Sequence, residues 1–208
     1  MTKKQRTLAI IERLKEIYPQ AECSLETQNA YHLLVSVRLA AQCTDARVNT
    51  ITPLLFERWP DIESMAEADV NDVEAIVRPC GLGRSKARDI VACAAMLKDE
   101  FGSVVPDNME DLLKLPGVGR KSANLILGDV YGKPAIVTDT HCIRLCGRFG
   151  ITEGKEPQKV EMQLWKLVPP EEGNDFCHRL VLFGRDTCTA RSPKCEGCKL
   201  SDLCKKVL

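Results

Sequence analysis

Apolar residues recur along most of the chain at the three-and-four spacing of a helix face: Leu8, Ile11, Leu14 and Ile17, then Val73, Ile76 and Val77, then Ile90, Ala94 and Leu97. This pattern predicts an all-α protein. Turn-like segments punctuate it at Tyr18-Pro19, Trp59-Pro60, Cys80-Gly81-Leu82-Gly83, Pro116-Gly117-Val118-Gly119, Tyr131-Gly132-Lys133-Pro134 and Val168-Pro169-Pro170. The helices between them run to about three to five turns. Only Ala135-Ile136-Val137 reads as a strand, and it is too short to found a sheet. Asp107 with Glu110 predicts a capping box at the start of a helix that carries Leu112 and ends at Leu115. One internal echo is present: Gly81-Leu82-Gly83-Arg84-Ser85-Lys86-Ala87 matches Gly117-Val118-Gly119-Arg120-Lys121-Ser122-Ala123. Each stretch opens a helix, so two helix-turn-helix units in one bundle account for the echo. A solenoid would need at least three repeats.

The composition fits an ordinary globular protein, with 208 residues and 29 Lys+Arg against 29 Asp+Glu. A chain of this size forms one large domain or two small ones and buries roughly 70–75% of its unfolded surface, so it needs no disulfide staple. The 11 cysteines therefore call for another explanation. The apolar start Leu8-Ala9-Ile10-Ile11 is cut by Glu12 and Arg13, unlike a signal peptide, which leads us to expect a reducing intracellular setting. No apolar run approaches the roughly 18–20 residues of a membrane span. Zero net charge argues weakly against nucleic acid as a partner, but the charge is uneven. Acidic residues gather from Asp61 to Glu74, whereas the tail from Arg179 to Lys206 is rich in Lys and Arg. Either one face is basic or these are solvated helix faces.

Three groups of residues carry candidate chemistry. The turn Leu115-Pro116-Gly117-Val118-Gly119 precedes Arg120 and Lys121. Its glycines allow backbone N–H groups to point outward, and with the positive end of the next helix they would bind a phosphate without reading a base. The alternative is a plain tight turn. Lys121 falls in the first turn of that helix, where the macrodipole and Arg120 oppose a second positive charge and favour a nucleophilic neutral amine. The alternatives are that Lys121 is one more phosphate contact, or that Lys86 in the sister turn is the nucleophile. Asp139, after Ala135-Ile136-Val137 and before Thr140-His141, is expected to cap a helix; a carboxylate held that way stays charged where a developing cation needs it.

Cys188, Cys195, Cys198 and Cys204 form a C-x6-C-x2-C-x5-C pattern among Lys and Arg, which is a metal-site spacing. Only Cys195-Glu196-Gly197-Cys198 is a short knuckle, so an iron–sulfur cubane competes with zinc. Cys23, Cys43, Cys80, Cys93, Cys142, Cys146 and Cys177 read as small core residues.

Taken together, Leu115 to Ala123, Val137-Thr138-Asp139-Thr140-His141 and the cysteine tail resemble the endonuclease III family, bacterial DNA glycosylases of the helix-hairpin-helix superfamily with a [4Fe-4S] cluster. Leu39-Ala40-Ala41-Gln42-Cys43-Thr44-Asp45 and Gly81 to Ala87 match as well, so the likeness spans nearly the whole chain. The resemblance implies two helical lobes flanking a DNA-binding cleft. One is a six-helix barrel carrying the hairpin, residues 22–133, and the other is an iron–sulfur cluster domain of residues 1–21 and 134–208. It implies Lys121 as nucleophile and Asp139 as its acidic partner. Gly117, Val118, Gly119 and Arg120 would lie on the DNA backbone, with Gln42 and Leu82 in the gap left by an extruded nucleotide. Arg191 and Lys194 would meet phosphates, and the four tail cysteines would hold the cluster. The implied activity is removal of oxidised pyrimidines from damaged double-stranded DNA, followed by β-elimination, by a monomer in the bacterial cytoplasm. His141 and His178 are expected to be structural, hydrogen-bonded histidines. Ala40 and Cys142 depart from the family pattern, which calls for a serine and a branched apolar residue, and both positions bear on the lesion pocket. Adenine-specific mismatch glycosylases of the same superfamily lack a lysine at position 121 and usually carry a further C-terminal domain. A zinc-stapled, non-catalytic DNA-binding module is the alternative from another class.

Overall fold

The computed structural model describes residues 1–207, and every regular element among them is helical. Helix α1 (Lys3–Ile17) is followed by α2 (Ala30–Leu39), α3 (Asp45–Arg58), α4 (Ile62–Ala66), α5 (Val70–Val77), α6 (Gly83–Phe101), α7 (Met109–Leu112) and α8 (Arg120–Asp129). Then come α9 (Thr140–Phe149), α10 (Pro157–Leu164) and α11 (Gly173–Asp186). The chain divides into two compact units, one made of Met1–Cys23 with Gly132–Leu208 and the other of Ser24–Tyr131. None of the described helices is long and apolar enough to cross a membrane.

The discontinuous unit is built on α11, which packs against both α1 and α9. Ile10, Ile11 and Leu14 of α1, Leu145 and Phe149 of α9, and Phe176, Leu180 and Phe183 of α11 are all buried. They recur at helical spacing, and each contributes about 1.5–3 kcal/mol by leaving water. A buried cation fixes the N-terminal helix to this unit. The Arg179 guanidinium of α11 donates to the carbonyls of Tyr18 (3.0 Å) and Pro19 (3.3 Å), which otherwise lack helical partners at the end of α1. Ala135, Ile136 and Val137 are buried outside any regular element, with no strand among the described residues.

The continuous unit centres on α6, the longest helix, which packs on α4, α5 and α2; α2 also packs on α3 and α8. Most of its helices begin with a capped amide: Asn29, Thr44, Asp61 and Asp69 each accept a backbone N–H at the start of α2, α3, α4 and α5. Helices α6 and α8 differ, starting at Leu82 and Gly119 with no side-chain cap. These are the two helices that follow the echoed turns.

Two sequence expectations are corrected. The cap of α7 is Asn108, whose Oδ1 accepts from the Asp111 N–H at 2.9 Å, so the box expected on Asp107 and Glu110 is displaced by one residue. Asn caps as well as Asp, and burial of Leu112 and Leu115 selects the register. The α-helix also stops at Leu112, and turn bonds carry the chain on to Leu115. Among the seven cysteines outside the tail, Cys23 and Cys43 are partly exposed rather than core residues. Asn108→Ala should lower stability by about 1 kcal/mol in urea unfolding.

Candidate active site

The hairpin of the continuous unit is shaped by an ion pair beneath it. Arg38 of α2 donates to Asp89 of α6 through Nε (2.8 Å) and Nη2 (2.5 Å), and both side chains are half-buried. Gly117 lies against this pair at φ 76°: a Cβ there would stand 2.9 Å from Arg38 Nε and from the Asp89 Cβ. Only glycine meets both demands, a left-handed backbone and no side chain. The Val118 N–H closes the turn onto Leu115 O at 3.1 Å. Beyond it, Gly119 opens α8 without a side-chain cap, and the amides of the first turn carry the partial positive charge of the helix end. Lys121 is exposed in that turn and Arg120 half-buried beside it.

The sister lysine has another role. Lys86 is fully buried, and its ammonium donates to Leu39 O at 2.7 Å and Cys80 O at 2.8 Å. It joins the end of α2 to the turn before α6, and burial lowers its pKa. With its protons committed to carbonyls and no exposed surface, Lys86 is no rival nucleophile. The two segments it joins lead to Gln42 (φ 56°) and Leu82 (φ 51°), two of only four non-glycine residues at positive φ among those described. Both side chains are exposed, Leu82 by 55%. Left-handed backbone is disfavoured at non-glycine residues, so both positions carry local strain.

In the discontinuous unit Asp139 caps α9, Oδ1 accepting from the Cys142 N–H at 2.7 Å while Oδ2 lies 3.1 Å from His141 Nδ1. Its side chain is only 16% exposed. Gly184 of α11 lets α9 approach, since a Cβ there would stand 2.6 Å from the His141 ring and 2.8 Å from Arg144 Nη2. Below the cap, Cys142, Cys146 and Cys177 are all buried. The Cys142 thiol is held well up, first by Cys146 and further by burial. Cys142 is therefore a protonated core residue with no exposed surface.

The other end of α9 meets the cysteine tail. Cys188, Cys195, Cys198 and Cys204 line one pocket together with Arg148, Phe149, Phe183 and Lys194. Among the described residues no three His, Cys, Asp or Glu side chains converge as a single metal ion requires. Four thiols set around a shared pocket suit an iron–sulfur cluster held by four thiolates. Burial pushes the Cys198 and Cys204 thiols up, and mutual repulsion of the cysteines adds to it, so cationic iron is the natural counter-charge for this donor set. Sequence reasoning missed Arg148. Its Nη1 donates to Cys188 Sγ (3.3 Å) and Thr189 O (2.7 Å), and Nη2 to Ala190 O (2.9 Å); Arg144 Nη2 adds a bond to Cys188 O at 3.2 Å. The available signal was the i,i+4 pair Arg144 and Arg148 at the end of a helix, which reads equally well as an ordinary cationic C-terminus. Arg191 and Lys194 are exposed on the loop so held.

Residues 35–170 match the HhH-GPD superfamily of base excision DNA repair proteins, and residues 188–204 match the iron–sulfur binding domain of endonuclease III. Hairpin, capped aspartate and cysteine pocket thus define a base excision repair protein with an iron–sulfur domain. Endonuclease III of Synechocystis is 43% identical over 204 residues, 98% of this chain and 93% of that protein. Endonuclease III of Escherichia coli is 39% identical, covering 97% and 96%. A solved structure of a trapped endonuclease III–DNA covalent intermediate superposes with a TM-score of 0.94 at 39% identity, over 99% of this chain and 97% of that one. The chain belongs to the endonuclease III family. Arg148→Ala should weaken iron retention about tenfold or more, read as iron per chain and as bleaching of the brown colour under a chelator.

Proposed function

We propose that this chain is a bifunctional DNA glycosylase and abasic-site lyase, acting as a monomer on damaged double-stranded DNA in the bacterial cytoplasm. Its substrates are oxidised pyrimidines, its nucleophile is Lys121, and the acidic partner is Asp139. The observation that carries the reading is the exposed Lys121 in the first turn of the uncapped hairpin helix, in a chain so similar to one captured as a covalent intermediate with DNA.

Each residue then has a physical task. Gly117, Val118, Gly119 and Arg120 hold a phosphate through backbone amides and the helix end, without sequence preference. A base inside a duplex is out of reach, so it is extruded at a cost of about a few kcal/mol, least for a poorly stacked lesion. Leu82 and Gln42 occupy the vacated space, the first by apolar contact with the stack and the second by hydrogen bonds to the orphaned base. Lys121 Nζ attacks C1′ as the glycosidic bond breaks, and the base leaves with a proton. Asp139 stabilises the positive charge that develops on the sugar, its carboxylate kept in place by the Cys142 N–H and the neighbouring His141 ring. Opening of the sugar ring leaves a Schiff base between Nζ and C1′, which acidifies the proton on C2′. Loss of that proton expels the 3′ phosphate by β-elimination, and hydrolysis then frees Lys121. Cys188, Cys195, Cys198 and Cys204 hold the [4Fe-4S] cluster, which when bound supplies iron–thiolate bonds that fix the tail. Arg191 and Lys194 are thereby presented to phosphates.

Borohydride trapping on duplexes carrying thymine glycol, an abasic site or no damage tests the reading. A covalent adduct is expected on the first two and none on the third. An adduct on the abasic duplex alone would reassign the lesion, and no adduct on any would refute the lyase. Lys121→Ala should abolish trapping with DNA binding largely kept, and Asp139→Asn should slow base release more than it weakens binding. Trapping that survives Lys121→Ala would move the nucleophile elsewhere.

A further inference from the structure

One cavity of the continuous unit is lined by none of the residues assigned to DNA. Its volume is about 610 Å³, the size of a small-ligand pocket, and it lies between the segment leading into α2 and the second half of α3. Its walls are fixed. Asn49 of α3 ties down the incoming segment, with Oδ1 accepting from the Glu26 N–H at 3.1 Å and Nδ2 donating to Ser24 O at 2.9 Å. His32 lines the cavity from α2 and is only 7% exposed. Its ring stacks on that of Phe56, also in the lining, with centroids 3.7 Å apart.

What the cavity offers is acceptors and negative charge. Pro60 O can only accept, so His32 Nε2, 3.2 Å away, carries the ring proton, and Nδ1 of the neutral ring is an acceptor. No group among the described residues hydrogen-bonds to that Nδ1. Pro53, inside α3, has no N–H to return to the Asn49 carbonyl four residues before it, and both residues line the cavity. Glu26 and Glu57 line it as well, with no Lys or Arg in the lining and no salt bridge to either carboxylate among the described residues. The adjacent Arg58 is engaged elsewhere, its Nη2 2.5 Å from Asp72 and its guanidinium 4.6 Å from the Trp59 ring centroid. A nine-tenths buried acceptor without a donor, beside two carboxylates without a counter-charge, calls for a ligand that supplies both.

We propose that this cavity binds a small organic dication with N–H donors, of the diamine or guanidino-amine class. Its two charged groups pair with Glu26 and Glu57, one N–H donates to His32 Nδ1, and its methylenes lie against Phe56 and Pro53. The aromatic ring adds attraction for a cation. A bare metal ion does not fit, because no three His, Cys, Asp or Glu side chains converge among the described residues and the space far exceeds one ion. The proposal is independent of the roles given to Lys121 and Asp139.

The test is titration calorimetry of the DNA-free holoenzyme with agmatine and with putrescine, paired with NMR of the His32 ring. One molecule per chain is expected to bind, with the His32 resonances shifting in step with the heat. The double variant Glu26→Gln with Glu57→Gln should weaken binding about tenfold or more. Both carboxylates are on exposed residues, so this variant should melt as the wild type does. A charge-matched control, Glu63→Gln with Glu100→Gln, changes two other exposed carboxylates of the same unit and should bind as the wild type does. Equal weakening in both double variants would reduce the effect to general charge attraction and overturn the site. Magnesium binding as tightly as agmatine would overturn the organic class of the ligand. Absence of heat and of a His32 shift with either probe at about 1 mM would overturn the proposal altogether.

Discussion

The close approach of α9 to α11 at Gly184 is the contact on which the discontinuous unit depends. Without a side chain at that position, the His141 ring and the Arg144 guanidinium lie directly over the α11 backbone. Helix α9 is thereby set with Asp139 at its N-terminus and Arg148 at its C-terminus. The arrangement suits the macrodipole, which favours a carboxylate at the first end and cations at the second. One short helix therefore holds the candidate acid in its capped position and clamps the loop that begins at Cys188. The sulfur contact of Arg148 makes the helix end part of the environment of the cluster rather than a neighbouring surface.

The continuous unit depends on charges taken out of water. An ammonium buried like that of Lys86 is costly unless its protons find acceptors, and here two carbonyls with no other helical partner at hand accept them. The same two bonds define where the chain leaves α2 and where it enters α6. The half-buried Arg38–Asp89 pair does comparable work under the hairpin, and the space it leaves above admits only a glycine. In both places a rigid polar contact lies beneath an exposed, strained or glycine-dependent turn, so local strain is balanced by contacts that a nucleic acid need not disturb.

The cysteines show how little residue identity says apart from environment. Four line a basic pocket and suit iron. Cys142, Cys146 and Cys177 are buried together, and the Cys142 and Cys177 thiols are held well up. Cys43 is partly exposed, and Cys80 is buried with its thiol pushed up, first by burial. One chemical group serves as ligand or as packing element according to its burial and the charges around it.

Much was legible in the amino-acid sequence itself because it is local. The period of the apolar residues announced helices throughout, Pro and Gly marked the turns, and the spacing of Cys188, Cys195, Cys198 and Cys204 announced a metal group. Asp139 was readable as a cap from its place ahead of Thr140 and His141. Contacts between distant segments were not legible, because they depend on which faces pack together. The rivalry between Lys86 and Lys121 is the clearest case: the two echoed turns place their lysines one position apart, and the fold buries one against two carbonyls while the other is exposed at an open helix end. The cap register at Asn108 was settled by burial of Leu112 and Leu115, and the clamp of Arg148 by a loop some 40 residues further on. Periodicity and spacing belong to neighbours in the chain, whereas burial and ion pairing belong to neighbours in space, and only the folded protein decides those.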